Sequence, residues 1–207
     1  MFEHSRENHE ISHRIDWNTV LRQWQEGEEK QWEQLIRERG FSSWWEWRKS
    51  YVKELDLEQR EWREEIIMKP HDVIPDLVLG GFRGWKQYRP ADKDLVTFRE
   101  MVSPVVSGEV SYAQTSRVDM RTNSRVMSLV GNLTDTSLLV LRSSDFSVVL
   151  DGTHRCAATA IEVVDTFLQP SSFVARLRTC QFSESERELL EAFARDREIV
   201  IKKENKA

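Results

Sequence analysis

The chain has 207 residues, of which 39% are hydrophobic and 31% charged, and a formal net charge of -5 at neutral pH. That length allows one domain of ordinary size, or one domain and a small appendage, with a core that needs neither disulfide nor metal. No apolar run approaches the roughly 18 residues of a membrane span, and the acidic balance weighs against a nucleic-acid partner, local basic patches aside.

Residues 1–6 have no apolar core behind a basic start, so they do not read as a secretory signal, and a cytoplasmic location is the expectation. Cys156 and Cys180 have no partner motif and read as reduced core thiols. Together with scattered histidines they give no zinc-ligand spacing.

Between residues 15 and 67 there is no proline, and this stretch holds two glycines and seven of the eight tryptophans. Charges are dense and β-branched residues few, which reads as helix. Trp17, Val20, Leu21 and Trp24 recur at spacings of three and four, as do Trp32, Leu35 and Ile36. Gly40, after Arg37-Glu38-Arg39, marks a helix end. Ser42 or Ser43 can cap the next helix, which carries Trp44, Trp45, Trp47, Tyr51 and Leu55. A further helical run is expected over residues 58–67, stopped by Pro70 and Pro75. The indoles suit a bundle core, a docking surface for a protein partner or a second copy, or a lid over the second domain.

From about Asp72 the texture changes. Residues 75–81 read as a short strand ending in glycines. Residues 82–90 form a loop rich in cations and aromatics, in which Arg83, Lys86 and Arg89 could meet phosphates. Trp85 could stack on a base or tuck into the core. Residues 123–133 have helical spacing, and Ser124 and Arg125 at their start offer either a second anion site or a simple cap. Residues 137–142 and 146–150 form a hairpin around Ser143-Ser144-Asp145. A helix runs from Thr153 to about Phe167, then a strand over 173–179, then a capping box at 183–186 that opens a last helix to about Ile199.

The hairpin runs into Asp151-Gly152-Thr153-His154-Arg155, the joint between a strand and a helix. Amides at a helix start have no partners of their own, and with the helix dipole they favour an anion, above all a phosphate. Gly152 permits a sharp bend and close approach of a ligand. Arg155 could fork onto two phosphate oxygens. Thr153 offers a hydroxyl. His154 can donate to a phosphate or shuttle a proton near neutral pH. Asp151 could cap the helix, hold a magnesium ion or accept a proton from an attacking hydroxyl.

Asp151 to Ala158 resembles the Asp-Gly-x-His-Arg signature of the ParB/sulfiredoxin-like superfamily. The broader Gly-x-x-Arg-x-x-Ala pattern is met by Gly152, Arg155 and Ala158. The order of helix, hairpin, motif helix and strand agrees over roughly residues 72–182, with the specific part after Asn123. The fold class expected is therefore α+β: a helical, tryptophan-rich region over residues 1–70, a ParB/sulfiredoxin-like mixed-sheet nucleotide-binding domain over 71–182, and a C-terminal helix and tail over 183–207.

Sulfiredoxins carry their nucleophilic cysteine where this chain has Thr153, which sets sulfinic-acid repair aside. ParB partition proteins add a DNA-reading domain and a dimerisation domain, whereas only about 25 residues follow Phe182 here. Free serine kinases of the superfamily use Asp-Gly-His-His-Arg, close to the form in this chain. That likeness implies a phosphotransferase or nucleotidase that takes ATP or ADP, with CTP the alternative, together with Mg2+ and a small hydroxyl substrate. Gly152, Thr153, His154 and Arg155 would bind phosphates, helped by Arg83, Trp85, Lys86, Ser124 and Arg125. Asp151 would be the catalytic base, with His154 beside it. The kinases also use a glutamate from earlier in the fold, for which Glu100 and Glu109 are the candidates. A reading from another class is a non-catalytic nucleotide switch whose tryptophan-rich helices contact a protein partner or DNA.

Overall fold

The computed structural model describes residues 9–90, 93–103 and 118–195. β1 (His9–Ile15) leads into α1 (Trp17–Glu38), capped by the Asp16 carboxylate, which accepts from the Thr19 amide at 3.0 Å. The chain leaves α1 through Gly40, whose φ of +76° costs glycine little. Ser43 caps α2 (Trp44–Val52), accepting from the Glu46 amide. Two 3-10 turns, Lys53–Leu55 and Leu57–Gln59, deliver the chain to β2 (Trp62–Ile67). α3 (Pro70–Val73), β3 (Val78–Leu79), α4 (Phe98–Val102) and α5 (Ser124–Met127) come next. β4 (Thr136–Arg142), β5 (Ser147–Asp151), α6 (Thr153–Val164), β6 (Ala175–Gln181) and α7 (Arg187–Ala194) complete the described chain.

The strands form one mixed sheet of six in the order β1-β2-β6-β4-β5-β3. β1 with β2, β2 with β6, and β4 with β5 are antiparallel; β4 with β6 and β3 with β5 are parallel. Side chains alternate across the sheet, and its inner strands feed two cores. Leu138, Val140, Val149 and Leu177 face one core with Phe98, Met101 and Val126. Ala157, Ala158 and Ala160 let α6 lie close against that face. Leu139, Leu141, Val148 and Leu150 face the other, which holds Val20, Trp24, Trp44, Trp47 and, from α7, Leu190 and Phe193.

The fold is thus mixed α/β, with a helical N-terminal region and a six-stranded mixed sheet. The tryptophans act as a bundle core laid on the sheet. Trp24 and Trp44 meet edge to face at 5.2 Å, and Trp17 bridges Trp45 and Trp62 at 5.7 and 5.6 Å. No helix among the described residues is long and apolar enough to cross a membrane.

Two expected helices are corrected. Residues 58–67 hold a 3-10 turn and then β2, not a helix. Trp62 enters the core under α1 and α2 while Ile67, five residues on, enters the opposite core, a separation that a strand provides. Residues 123–133 are helical only over α5; the chain then turns through Gly131 at φ +74°. The hairpin, the motif helix and the Ser183 capping box lie where the sequence places them, and the helix after the box is described as far as Ala194.

The far end of α6 is pinned by Glu162, whose side chain is fully buried. It accepts from His71 Nε2 at 2.8 Å, the Gly131 amide at 2.7 Å, and the Ser171 amide and hydroxyl at 2.9 and 2.7 Å. Burial alone would raise this carboxyl, but the bonds from His71, Ser171 and Gly131 outweigh it and hold it below the ordinary glutamate value.

Candidate functional site

β5 ends at Asp151, and Gly152 turns the chain at φ +98°, ψ +13° into α6. No side chain caps this helix from Gly152; the first intrahelical bond runs from the Cys156 amide to the Gly152 carbonyl at 3.0 Å. A Cβ at position 152 would overlap the Leu138 Cδ2 methyl. Glycine is therefore required both by the dihedral and by the closeness of β4. Gly152 and Thr153 are buried, and the bend reaches solvent through Asp151 and Arg155, whose side chains are 23% and 35% exposed. Arg155 Nη2 donates to Asp151 Oδ2 at 3.4 Å. This contact is long, and the guanidinium keeps further donors for a ligand.

His154 packs its ring edge-on against Trp85 at 4.8 Å. Burial first, then the charges of Arg125 and Arg155, push its imidazole down to about 4. So lowered, the ring favours its neutral form at pH 7, in which it can offer one N–H. Trp85 is buried between Tyr88 and His154, which matches the tucked-in alternative for this residue. Lys86 lies exposed on the 3-10 turn Arg83–Tyr88. The Arg83 side chain falls outside the described parts.

Arg89 does not reach toward phosphates. Its Nη2 donates to the carbonyls of Leu79, Gly80 and Ala194 at 3.0, 3.1 and 2.7 Å, fastening α7 to the end of β3. Ser124 and Arg125 are exposed on α5, which Asn123 caps by accepting from the Val126 amide at 3.2 Å. Arg125 is nonetheless near enough for its charge to act on His154. Glu100 closes a capping box with Thr97 and bonds Lys93, which starts α4. Glu109 lies outside the described residues. Cys156 is fully buried, and burial pushes its thiol well above the ordinary value, so it holds no thiolate at neutral pH.

Sequence reasoning overlooked three charged residues, Glu28, Arg48 and Arg178. The charge of Asp151 acts on Glu28 of α1 and on Arg178 of β6. Burial pushes the Glu28 carboxyl up to about 7; Arg48 of α2 opposes that rise, and Asp151 adds to it. Arg48 Nε donates to Glu28 Oε2 at 2.6 Å, and Arg48 Nη2 pairs with the same oxygen. Arg178 of β6 is on the same face of the sheet, because Leu139 pairs with Asp151 on one side and with Arg178 on the other. It bonds Glu64 Oε2 and Ser137 Oγ, both at 3.2 Å. The guanidiniums of Arg48, Arg155 and Arg178 thus gather with the carboxyls of Glu28, Asp151 and Glu64.

A faint signal for these residues exists. Glu28 follows Val20 and Trp24 at steps of four, so it falls on the buried stripe of α1, and Arg48 follows Trp44 in the same way on α2. Nothing local marks Arg178.

Among the described residues, no group of three or more histidines, cysteines or carboxylates is placed to hold a metal ion. The two carboxyls at the joint are already faced by guanidinium groups, an arrangement that does not fit a magnesium ion held by the protein. Comparison with known proteins finds no matching family model, no matching curated protein and no matching solved structure.

Proposed function

We propose that the chain is a nucleotide-binding phosphotransferase or nucleotidase, of the ParB/sulfiredoxin-like kind that its motif resembles. The observation that carries this reading is the start of α6: a glycine-bent helix entry that no side chain caps, with Asp151 and Arg155 partly exposed beside it. The first-turn amides and Arg155 would take the phosphates of ATP, ADP or CTP, and His154 would donate as a neutral imidazole. Asp151 would accept the proton of a small hydroxyl substrate, or of water in a nucleotidase. As that oxygen bonds to the terminal phosphorus, the bridging P–O bond breaks and the shortened nucleotide leaves with the electron pair. Magnesium would arrive on the nucleotide, which supplies phosphate oxygens as its ligands.

A melting-temperature screen with ATP, ADP and CTP, followed by product analysis with small hydroxyl acceptors, tests the reading. Arg155→Ala should weaken nucleotide binding by about 1–3 kcal/mol, the worth of a charge-assisted bond. Asp151→Asn should bind nearly as well as the native chain and turn over far more slowly; equal turnover would sink the base role.

A second reading, a nucleotide switch without turnover, has one observation in its favour. α1 and α2 touch the site through Glu28 and Arg48, so a ligand there could alter how these helices meet a protein partner or a second copy. Tight binding without product, joined to a change in oligomeric state, would select it.

A further inference from the structure

We infer that the acceptor of the proposed transfer sits on an open ledge of the sheet beside Asp151 and carries an anionic group, a carboxylate or a phosphate, held by Arg176 and Arg178 of β6. The inference rests on the phosphotransfer reading and adds to it a seat and a chemical class for the acceptor.

Strand register places the ledge. One row of directly paired residues crosses five strands on a single face: His13 of β1, Glu64 of β2, Arg178 of β6, Leu139 of β4 and Asp151 of β5. Two residues away on the same face, on one side of this row, lie Trp62, Cys180 and Leu141; on the other side lie Ile66, Arg176 and Ser137. Exposure rises from row to row. Trp62, Cys180 and Leu141 are buried in the core shared with α1 and α2. In the next row Leu139 and Arg178 are still buried, while Glu64 is half-buried. In the last, Ile66 and Ser137 are half-buried and Arg176 is exposed. The helical layer therefore stops short of the end of the sheet where β4 and β6 begin and where β5 delivers Asp151 to the Gly152 bend.

Nucleotide phosphates at the first turn of α6 take one side of Asp151. A hydroxyl compound then reaches Asp151 from the sheet side, over Ser137. Asp151 stands about 5 Å across and 7 Å along from Ser137, counted between Cα atoms from strand spacing and rise. On the opposite side of Ser137 lies β6: Arg176 pairs with Ser137 in the register, and Arg178 Nη2 donates to Ser137 Oγ at 3.2 Å. A compound of a few heavy atoms lying over Ser137 thus spans from the Asp151 carboxylate to two guanidinium groups.

The fold alone serves these arginines poorly. Both lean on one carboxylate: Arg178 Nε donates to Glu64 Oε2 at 3.2 Å, and Arg176 Nη1 lies 3.8 Å from Glu64 Oε1. His13 Nε2 stands 3.9 Å from that same Oε1. Among the described residues Glu64 is the one acid that forms an ion pair with either arginine. The Arg178–Glu64 pair is what a sheet needs across two strands. Arg176 goes beyond it: it sets a second like charge two residues away on the same face, which costs energy unless an anion lies between. Guanidinium forks suit carboxylate and phosphate alike.

The test uses the full chain and three forms of one hydroxyl compound: glycerol, glycerate and glycerol 3-phosphate. In calorimetry without nucleotide, at least one anionic form should bind about tenfold or more tighter than glycerol, and the better of the two tells carboxylate from phosphate. Arg176→Gln should remove about tenfold of that affinity, Arg176→Lys less, and Arg155→Ala no more than about threefold. Arg176 is 47% exposed, so its replacement leaves the core intact. Loss of anion affinity in Arg155→Ala but not in Arg176→Gln puts the anion at the start of α6 and overturns the inference, as does binding of neither anion better than glycerol. With ATP and the preferred form as acceptor, Arg176→Gln should raise the acceptor KM about tenfold, with the nucleotide KM within about twofold. Turnover with glycerol or water that Arg176→Gln leaves unchanged, and that neither anion improves on, keeps the phosphotransfer reading and discards the ledge. If the native chain turns over no nucleotide, that reading fails, while the anion titrations still decide whether Arg176 holds an anion.

Discussion

Replacing Gly152 by alanine probes the joint where the fold and the candidate site coincide. Two costs add. The native φ of +98° lies in the left-handed half of backbone space, where an L residue is destabilised by about 1–2 kcal/mol. The new methyl would also overlap Leu138 Cδ2, and Leu138 is fully buried with little room to retreat, so overpacking adds about 1–3 kcal/mol. The sum, about 2–5 kcal/mol, corresponds to a fall in Tm of roughly 4–20 °C for a chain of this size. Urea unfolding followed by tryptophan fluorescence suits the measurement, because indoles fill one of the two cores. The two costs can be separated. Leu138→Ala alone should cost about 2–5 kcal/mol as a cavity. In the double variant the overlap is gone, so the loss should fall short of the sum of the single losses by about 1–3 kcal/mol. Strict additivity would refute the closeness of β4 to the bend, and a Gly152→Ala loss under about 0.5 kcal/mol would refute both the bend and that closeness.

Two further outcomes concern buried titrating groups. Glu162→Ala strands the Gly131 and Ser171 amides and the His71 ring, with an expected loss of about 3–5 kcal/mol by urea midpoint. Because the Glu162 carboxyl is held below its ordinary value of 4.5, its contribution is present above that pH and is lost as pH falls through the folded value. Glu162→Gln should therefore flatten the acid limb of stability, and an unchanged limb argues against the bonding described. His154 has its imidazole lowered from 6.5 to about 4, so the fold favours the neutral ring, and that stability is lost as pH falls from 6.5 toward 4. Urea midpoints of His154→Asn between pH 7.5 and 4.5 should fall less steeply than those of the native chain; parallel curves would mean that the ring is not buried beside Arg125 and Arg155.

What could be read from the sequence is what short-range chemistry controls. The β4–β5 hairpin announces itself by apolar runs about a polar turn, Gly152 by the joint it occupies, α6 by its run of helix formers, and the Ser183 box by serine and glutamate three apart. For the same reason Asp151 to Arg155 could be named in advance: five adjacent residues share one bend. β2 could not. Arg63, Glu64 and Glu65 look helical in isolation, and their strand state comes from bonding β1 on one side and, on the other, β6, more than 100 residues later. Glu28, Arg48 and Arg178 stayed hidden in the same way. They are 123, 103 and 27 residues from Asp151 along the chain, and they become neighbours only when α1 and α2 settle on the sheet and β6 pairs with β4. Local preference acts over a few residues. The proton affinity of a buried carboxyl depends on every charge within several ångströms, and only the folded chain decides which charges those are.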